Sequence, residues 1–281
     1  MLIPFRDLIQ YNIFMSLSLL TYNILFNNAA DKIDEIIDKY HPDIVCLQEV
    51  LTNEGNLKKI EMYGYKLADY SNSFIKFSGK IFGVATFYNP DRLSFVQSIS
   101  LKLGNNLLEV FFTLIQIIIG YNKPKTILRC DFVDKVSKKK LTICNTHLYV
   151  VAPNNLRVSH LNQALKSLSL DNQSALIIAG DFNYFPYQRK RLENLMKKYH
   201  LQEATKNIRQ TFKLVYKGIF DNFNLLQKVG LYILKAFKLT DKITNQFKND
   251  YIFYRGLRLK RTERIETQCS DHYPIISTFE I

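Results

Sequence analysis

The sequence predicts a mixed α/β sandwich, and three observations carry the prediction. Short apolar runs bounded by turn residues recur along the chain, helical spacing is confined to a few segments, and several strand-like runs lie close enough to pair as hairpins. A regular doubly wound sheet would alternate strand and helix throughout. At 281 residues the chain can bury a large core, and without a repeat or a long linker it reads as one domain over 1–281.

Residues 16–25 read as a strand ending at Asn27 and Asn28. Within 29–40, Ile33, Ile36 and Ile37 recur among charges at helical spacing, and His41-Pro42 stops that helix. Residues 44–47 form a short buried strand closed by Gln48 and Glu49. A second short helix covers 57–62, with Gly64 as its terminator, and a strand covers 82–87. Residues 127–132 and 141–145 predict a hairpin across the basic turn 137–140. A helix over 160–170 leads into a strand over 175–179, the next helix covers 192–199, and the last strands are 251–254 and 274–279. Residues 207–248 mix Phe, Leu and Lys and read as an insertion over one face of the domain.

The chain carries 38 Lys plus Arg against 25 Asp plus Glu, a net charge of +13, which favours nucleic acid or an anionic membrane surface as partner. Cys46, Cys130, Cys144 and Cys269 make no CxxC pair and predict buried thiols in a reducing compartment. Residues 1–20 are interrupted by Pro4, Arg6, Asp7, Gln10 and Asn12 with no cleavage site after them, so no signal peptide is predicted. The apolar run 107–119, broken by Glu109 and Gln116, is short for a membrane span of roughly 20 residues and reads as a core element. A cytoplasmic or nuclear location follows.

Ala175-Leu176-Ile177-Ile178-Ala179 is a buried strand that ends in Gly180-Asp181-Phe182-Asn183. The glycine permits a tight turn, and Asp181 and Asn183 then stand at the carboxyl lip, where α/β folds place chemistry. Glu49 and His147 close two other strands, and Asp271-His272 precedes the last. No G-x-S-x-G elbow, P-loop or H-E-x-x-H is present, so a covalent serine or a zinc mechanism is disfavoured and attack by water fits the residue set. A carboxylate on a rigid strand end suits Mg²⁺, which takes hard oxygen ligands.

Six segments, in order, resemble the endonuclease/exonuclease/phosphatase superfamily: Thr21-Tyr22-Asn23-Ile24-Leu25, Cys46-Leu47-Gln48-Glu49-Val50, Cys144-Asn145-Thr146-His147-Leu148, Ala179 to Asn183, Asn249-Asp250-Tyr251-Ile252-Phe253 and Ser270-Asp271-His272-Tyr273-Pro274. The resemblance implies a DNase I-like fold, a four-layer αββα sandwich of two packed mixed β-sheets. It implies Glu49 as a Mg²⁺ ligand supported by Asn23, with Mn²⁺ as a substitute, and Asp271 as a metal or orienting group. It implies Asp181 orienting or deprotonating the attacking water, Asn183 binding the phosphate or that water, and Asp250 holding His272 charged beside the phosphate. His147 is assigned to phosphate opposite His272, and Tyr149 and Arg157 to further phosphate or substrate contacts. Gly83 to Tyr88, Asn145 to Tyr149, and Arg157 spaced before Gln163 are similar to the CCR4-type deadenylases, which implies hydrolysis of single-stranded RNA from a 3′ end. Residues 207–248 depart from that branch.

Lys206, Arg209, Lys213 and Lys217, then Arg255, Arg258, Lys260, Arg261 and Arg264, are read as a basic rim, with Phe212, Tyr251 and Tyr254 available to stack on bases. A sphingomyelinase-like phospholipid phosphodiesterase, a DNA end-processing nuclease and a non-catalytic nucleic-acid-binding protein of the same fold stand as alternatives.

Overall fold

Alternation along the central strands builds the layers. The computed structural model describes residues 16–75, 79–101, 126–149, 152–168, 174–184, 187–213, 247–267 and 269–281. Among them, strands β1 (Ser16–Asn23), β2 (Ile44–Leu51), β3 (Lys66–Ile75), β4 (Ile81–Tyr88), β5 (Leu93–Ser100), β6 (Thr126–Asp134), β7 (Lys140–His147), β8 (Ala175–Asp181), β9 (Gln202–Glu203), β10 (Asp250–Arg255), β11 (Arg258–Arg264) and β12 (Ile275–Glu280) form two sheets. One sheet has the order β11-β12-β1-β2-β4-β3, the other β5-β6-β7-β8-β10-β9. In β2, Ile44 and Cys46 enter the core between the sheets, while Val45 and Leu47 turn to the outer face. In β8, Ile177 and Ala179 face inward, and Leu176 and Ile178 outward. Both faces of these strands are covered, which is why they read as unbroken apolar runs.

Helices close the outer faces. Helices α1 (Ile33–Tyr40) and α2 (Glu54–Glu61) bury Ile33, Ile36, Ile37, Leu57 and Ile60 on the first sheet. Helices α3 (Asn154–Ser167) and α4 (Arg189–Lys198) bury Leu161, Ala164, Leu165, Leu192, Leu195 and Met196 on the second. Each of the Ile, Leu and Met side chains among them contributes about 1.5–3 kcal/mol of burial. The result is the four-layer αββα sandwich of two mixed sheets expected from the resemblance. His41 ends α1 in the left-handed region (φ 42°), its N–H donating to Ile37, and Pro42 follows. Asn53 caps α2 by accepting from the Asn56 N–H at 2.8 Å. Among the described residues no helix is long and apolar enough to cross a membrane. The run 107–119 lies outside the described residues. All four cysteines are free, and Cys46, Cys130 and Cys144 are buried.

Each sheet has a parallel pair at its centre, β1 with β2 and β7 with β8. Their carboxyl tips, with the starts of β10 and β12, make one lip of the sandwich. Gly180 brings β8 close to β7: its φ is +134°, and a Cβ there would sit 2.0 Å from the Thr146 carbonyl oxygen.

Several boundaries differ from the sequence reading. β2 runs past Gln48 and Glu49 to Leu51, and α3 starts at Asn154 rather than 160 because Asn154 and Arg157, both polar, fill its buried first turns. β3, β5, β9 and β11 were not anticipated. Tyr251 and Tyr254 belong to the apolar core, not to a stacking surface. Arg255 is buried and donates to the Tyr199 carbonyl, so it leaves the basic rim, whereas Arg258, Arg261 and Arg264 lie on the edge strand β11. The described ends of 207–248 brace the last strands: Thr211 N–H donates to Phe247 O, Lys213 N–H to Asp271 O and Tyr273 N–H to Thr211 O. Residues 214–246, with Lys217, lie outside the described residues.

Candidate active site

A bulge aims the first carboxylate. The β2–β4 register shifts between Gln48 and Val50, and Glu49 sits between them at φ +56°. Its Oε2 accepts the Phe26 N–H at 3.2 Å, and its Oε1 lies 3.4 Å from Asn23 Nδ2. Asn23, at the tip of β1, also donates to Asp181 Oδ2 at 3.0 Å, while its Oδ1 accepts the Leu25 N–H. The amide therefore bridges two carboxylates, one from each sheet. In this geometry it offers them N–H groups, and its own oxygen is engaged with the backbone.

Asp181 ends β8 as an Asx turn. Its Oδ1 accepts the Asn183 N–H at 2.7 Å, and Asn183 (φ +48°) returns its Nδ2 to Asp181 Oδ2 at 3.1 Å and to Leu148 O. Asp250, register partner of Asp181 on β10, accepts from His272 Nδ1–H at 2.8 Å through Oδ2. That leaves His272 Nε2 facing Asp181 Oδ2 at 3.7 Å and Asp271 Oδ1 at 3.9 Å. From the opposite side His147 Nε2 lies 3.8 Å from both Glu49 Oε1 and Asp181 Oδ2, with no hydrogen-bond partner among the described residues. All these side chains except Asn183 and Asp271 are buried.

Burial dominates the electrostatics. It pushes the Glu49 carboxyl up to about 8, helped by Asp271, and the Asp181 carboxyl up to about 7, helped by Asp250. Asp271 is raised for the same reason. His147 is driven down to about 3 by burial and by His272, so its ring is neutral. Burial also opposes charge on His272, but Asp250 and Asp181 overcome it and hold the imidazolium well above the usual histidine range. The lip thus gathers neutral and charged imidazoles against a crowd of carboxyls short of positive charge. That donor set fits a hard divalent cation. Asp181, Asp250 and His272 each offer a ligand atom, all within 4.8 Å of one another.

Tyr149 and Arg157 do not present their polar groups at the lip, although Arg157 is near enough to feel the Asp181 charge. Both are fully buried, and Arg157 donates through Nε and Nη2 to the Tyr149 carbonyl and through Nη1 to Asn154 Oδ1. The guanidinium ties the loop after β7 to α3 instead of facing a phosphate. Four residues without a predicted role support the site. Ser270 Oγ donates to Asn23 O at 2.7 Å and accepts the His272 N–H. Thr211 Oγ1 accepts the N–H groups of Asn249 and Asp250, both at 3.0 Å. Gln48 and Asn145 bond across the sheets at 2.8 Å. Ser270, Gln48 and Asn145 lie inside the quoted motifs, whereas Thr211 has no local signal. Phe212 sets its ring edge-on to His272, 4.9 Å between centroids.

Comparisons with known proteins bear on the family and the fold. The profile described as "Endonuclease/Exonuclease/phosphatase family" matches residues 20–272. An uncharacterized protein of Acanthamoeba polyphaga mimivirus is 25% identical over 91% of this chain and 92% of its own length. Carbon catabolite repressor protein 4 homolog 1 of Arabidopsis thaliana is 28% identical over 53% of this chain, which spans 29% of that protein. Among solved structures, the human Nocturnin catalytic domain with bound sulfate superposes with a TM-score of 0.67 at 19% identity, covering 94% of this chain and 93% of that one. D. rerio TDP2 complexed with single strand DNA product gives 0.62 at 15%, covering 95% and 99%.

Proposed function

The chain belongs to the endonuclease/exonuclease/phosphatase family, and from that membership we propose a Mg²⁺-dependent phosphodiesterase that hydrolyses single-stranded RNA from a 3′ end, in the manner of the CCR4-type deadenylases. One observation carries the reading: Glu49 on β2, His147 on β7, Asp181 on β8 and His272 just before β12, brought together from both sheets, are linked by approaches of 3.8 Å or less. The likeness to the Arabidopsis protein supports the branch, and the net charge of +13 supports a polyanionic substrate. The reading takes 1–281 as one catalytic domain with a family-variable insertion at 207–248, working in the cytoplasm or nucleus.

Glu49 and Asp271 would hold Mg²⁺, or Mn²⁺ in its place, with Asn23 fixing Glu49. Once bound, the cation supplies Lewis-acid polarisation of a phosphoryl oxygen. Asp181, Asp250 and His272 are compact enough to share an ion, but the 2.8 Å His272–Asp250 bond is better spent orienting the ring. Asp181 Oδ2 orients the attacking water and takes its proton. Its raised proton affinity suits that role near neutral pH. Asn183 Nδ2 steadies the water or a phosphate oxygen. His272, kept charged by Asp250, donates from Nε2 to the phosphate as negative charge builds, and neutral His147 faces it from the other side.

The test is a panel of poly(A), mixed RNA, single- and double-stranded DNA and sphingomyelin vesicles at fixed Mg²⁺, repeated in EDTA. Metal-dependent release of mononucleotides from RNA is expected, and its absence from every RNA sinks the reading. A lipid phosphodiester is the second reading. The residues that flank the apolar run lie near the catalytic lip: Leu101 N–H donates to Ile127 O, and Thr126 pairs with His147. Phosphocholine release without RNA cleavage selects it.

A further inference from the structure

We propose that Gln48 and Asn145 act as positioning residues that set the spacing of the two sheets beneath the catalytic lip, an inference that rests on the phosphodiesterase reading above. The residues facing each other across the active centre come from different sheets: Glu49 from the first, His147 and Asp181 from the second. Between those sheets the core is apolar, with Leu19, Cys46, Ile143, Ile177 and Ala179 in contact. The hydrophobic effect is non-directional and by itself resists a small slide of one sheet over the other less sharply than a buried hydrogen bond does. A site built across such a seam needs a directional tie.

Gln48 and Asn145 provide one. Both are fully buried. Gln48 Nε2 donates to Asn145 Oδ1 at 2.8 Å, and also approaches Thr21 Oγ1 and Cys46 O, both at 3.2 Å. Asn145 Nδ2 donates back to the first sheet, to Ala85 O at 2.9 Å, Leu47 O at 3.1 Å and Thr86 Oγ1 at 3.3 Å. One amide of the second sheet is therefore pinned to both β2 and β4. Gln48 adjoins the bulged Glu49, and Asn145 precedes His147 by two residues on the same face of β7. A shift of the tie moves Glu49 against His147, whose atoms approach at 3.8 Å.

The experiment compares Gln48→Met and Asn145→Leu, which fill similar volume without the bonds, with Thr21→Val and Thr86→Val, which each remove one outer partner. Mn²⁺ affinity is measured by calorimetry and kcat and KM on an oligonucleotide, with melting temperature as the folding control. Folded Gln48→Met and Asn145→Leu should bind Mn²⁺ about 10-fold more weakly and lose about 10-fold or more in kcat with KM little changed, as expected when groups are misplaced. The threonine variants should show the same trend at about 3-fold. Wild-type Mn²⁺ affinity in folded variants overturns the proposal, as it does in the threonine variants if the amide variants do not fold. The cation readout needs no substrate. Wild-type protein that binds Mn²⁺ but cleaves no phosphodiester therefore sinks the functional reading and leaves this one to be judged on affinity.

Discussion

His272 is charged because of its neighbours and not its exposure. Burial alone would neutralise the ring, and Asp250 at 2.8 Å, with Asp181 and Asp271 beyond it, reverses that preference. Replacing His272 with Ala should lower kcat by about 10²-fold or more, within the range of a positioned electrostatic group. Asp250→Asn makes a sharper test of the pairing. It removes the strongest force raising the ring's proton affinity, so the alkaline limb of the kcat profile should move to lower pH. A limb that stays in place between pH 6 and 9 rules out the Asp250–His272 partnership as the source of the charge. Glu49, Asp181 and His272 were visible in the sequence because each follows or precedes an apolar strand as an abrupt polar tip. Tyr149 and Arg157 were equally visible and misread: a polar residue near a motif looks the same whether it faces solvent or, like Arg157, donates to three acceptors inside the fold.

Elements with two covered faces were legible, and those at the margins were not. β2 and β8 are apolar at every position from Ile44 to Leu47 and from Ala175 to Ala179, whereas β11 reads as Arg-Leu-Lys-Arg-Thr-Glu-Arg, a charged string that only its pairing with β12 makes a strand. β5 is similar: it pairs with β6 alone, and most of its residues are exposed. Edge strands carry charge and irregularity that discourage further pairing, and those features erase the alternation a sequence reading depends on. The stretch 211–213 has the same difficulty. It acquires its place from backbone bonds to residues 247 and 271–273, far away in sequence. Its contribution to β10 can be measured. Thr211→Val removes the acceptor serving the N–H groups of Asn249 and Asp250, a change costing about 1–3 kcal/mol of stability for buried donors. Because Asp250 orients His272, activity should fall about 10-fold as well, and Thr211→Ser should restore both. Full activity in the valine variant would show that β10 holds Asp250 without this cap.

At the scale of the whole molecule, the fold concentrates uncompensated carboxyls at one lip of a protein whose net charge is +13. The six motifs in order made that lip legible as a set, but not the proton balance, which depends on burial. Glu49 and Asp181 keep their protons up to about pH 8 and 7, whereas the unfolded chain releases them near the ordinary values of 4.5 and 3.8. Their contribution to stability is thus complete below those ordinary values and is lost as pH rises through 7 to 8. His272 has the same sign, with its contribution lost above the usual 6.5 as pH passes its raised folded value. His147 has the opposite sign: depressed to about 3, it adds stability as pH rises from 3 to 6.5 and nothing further above that. Lys248, lowered to about 8 by burial, begins to add stability only above that pH. Between pH 6.5 and 8 the lip therefore acts in one direction. In EDTA the melting temperature should fall across this window. Under the proposed reading, bound Mg²⁺ would replace those protons as the carboxyls' positive partner, and would stabilise by binding the folded state alone. The rise in melting temperature produced by a fixed Mg²⁺ concentration should accordingly grow from pH 6.5 to 8, and Glu49→Gln should abolish most of that growth. A Mg²⁺ increment that is flat with pH, or that survives in Glu49→Gln, places the cation away from this lip.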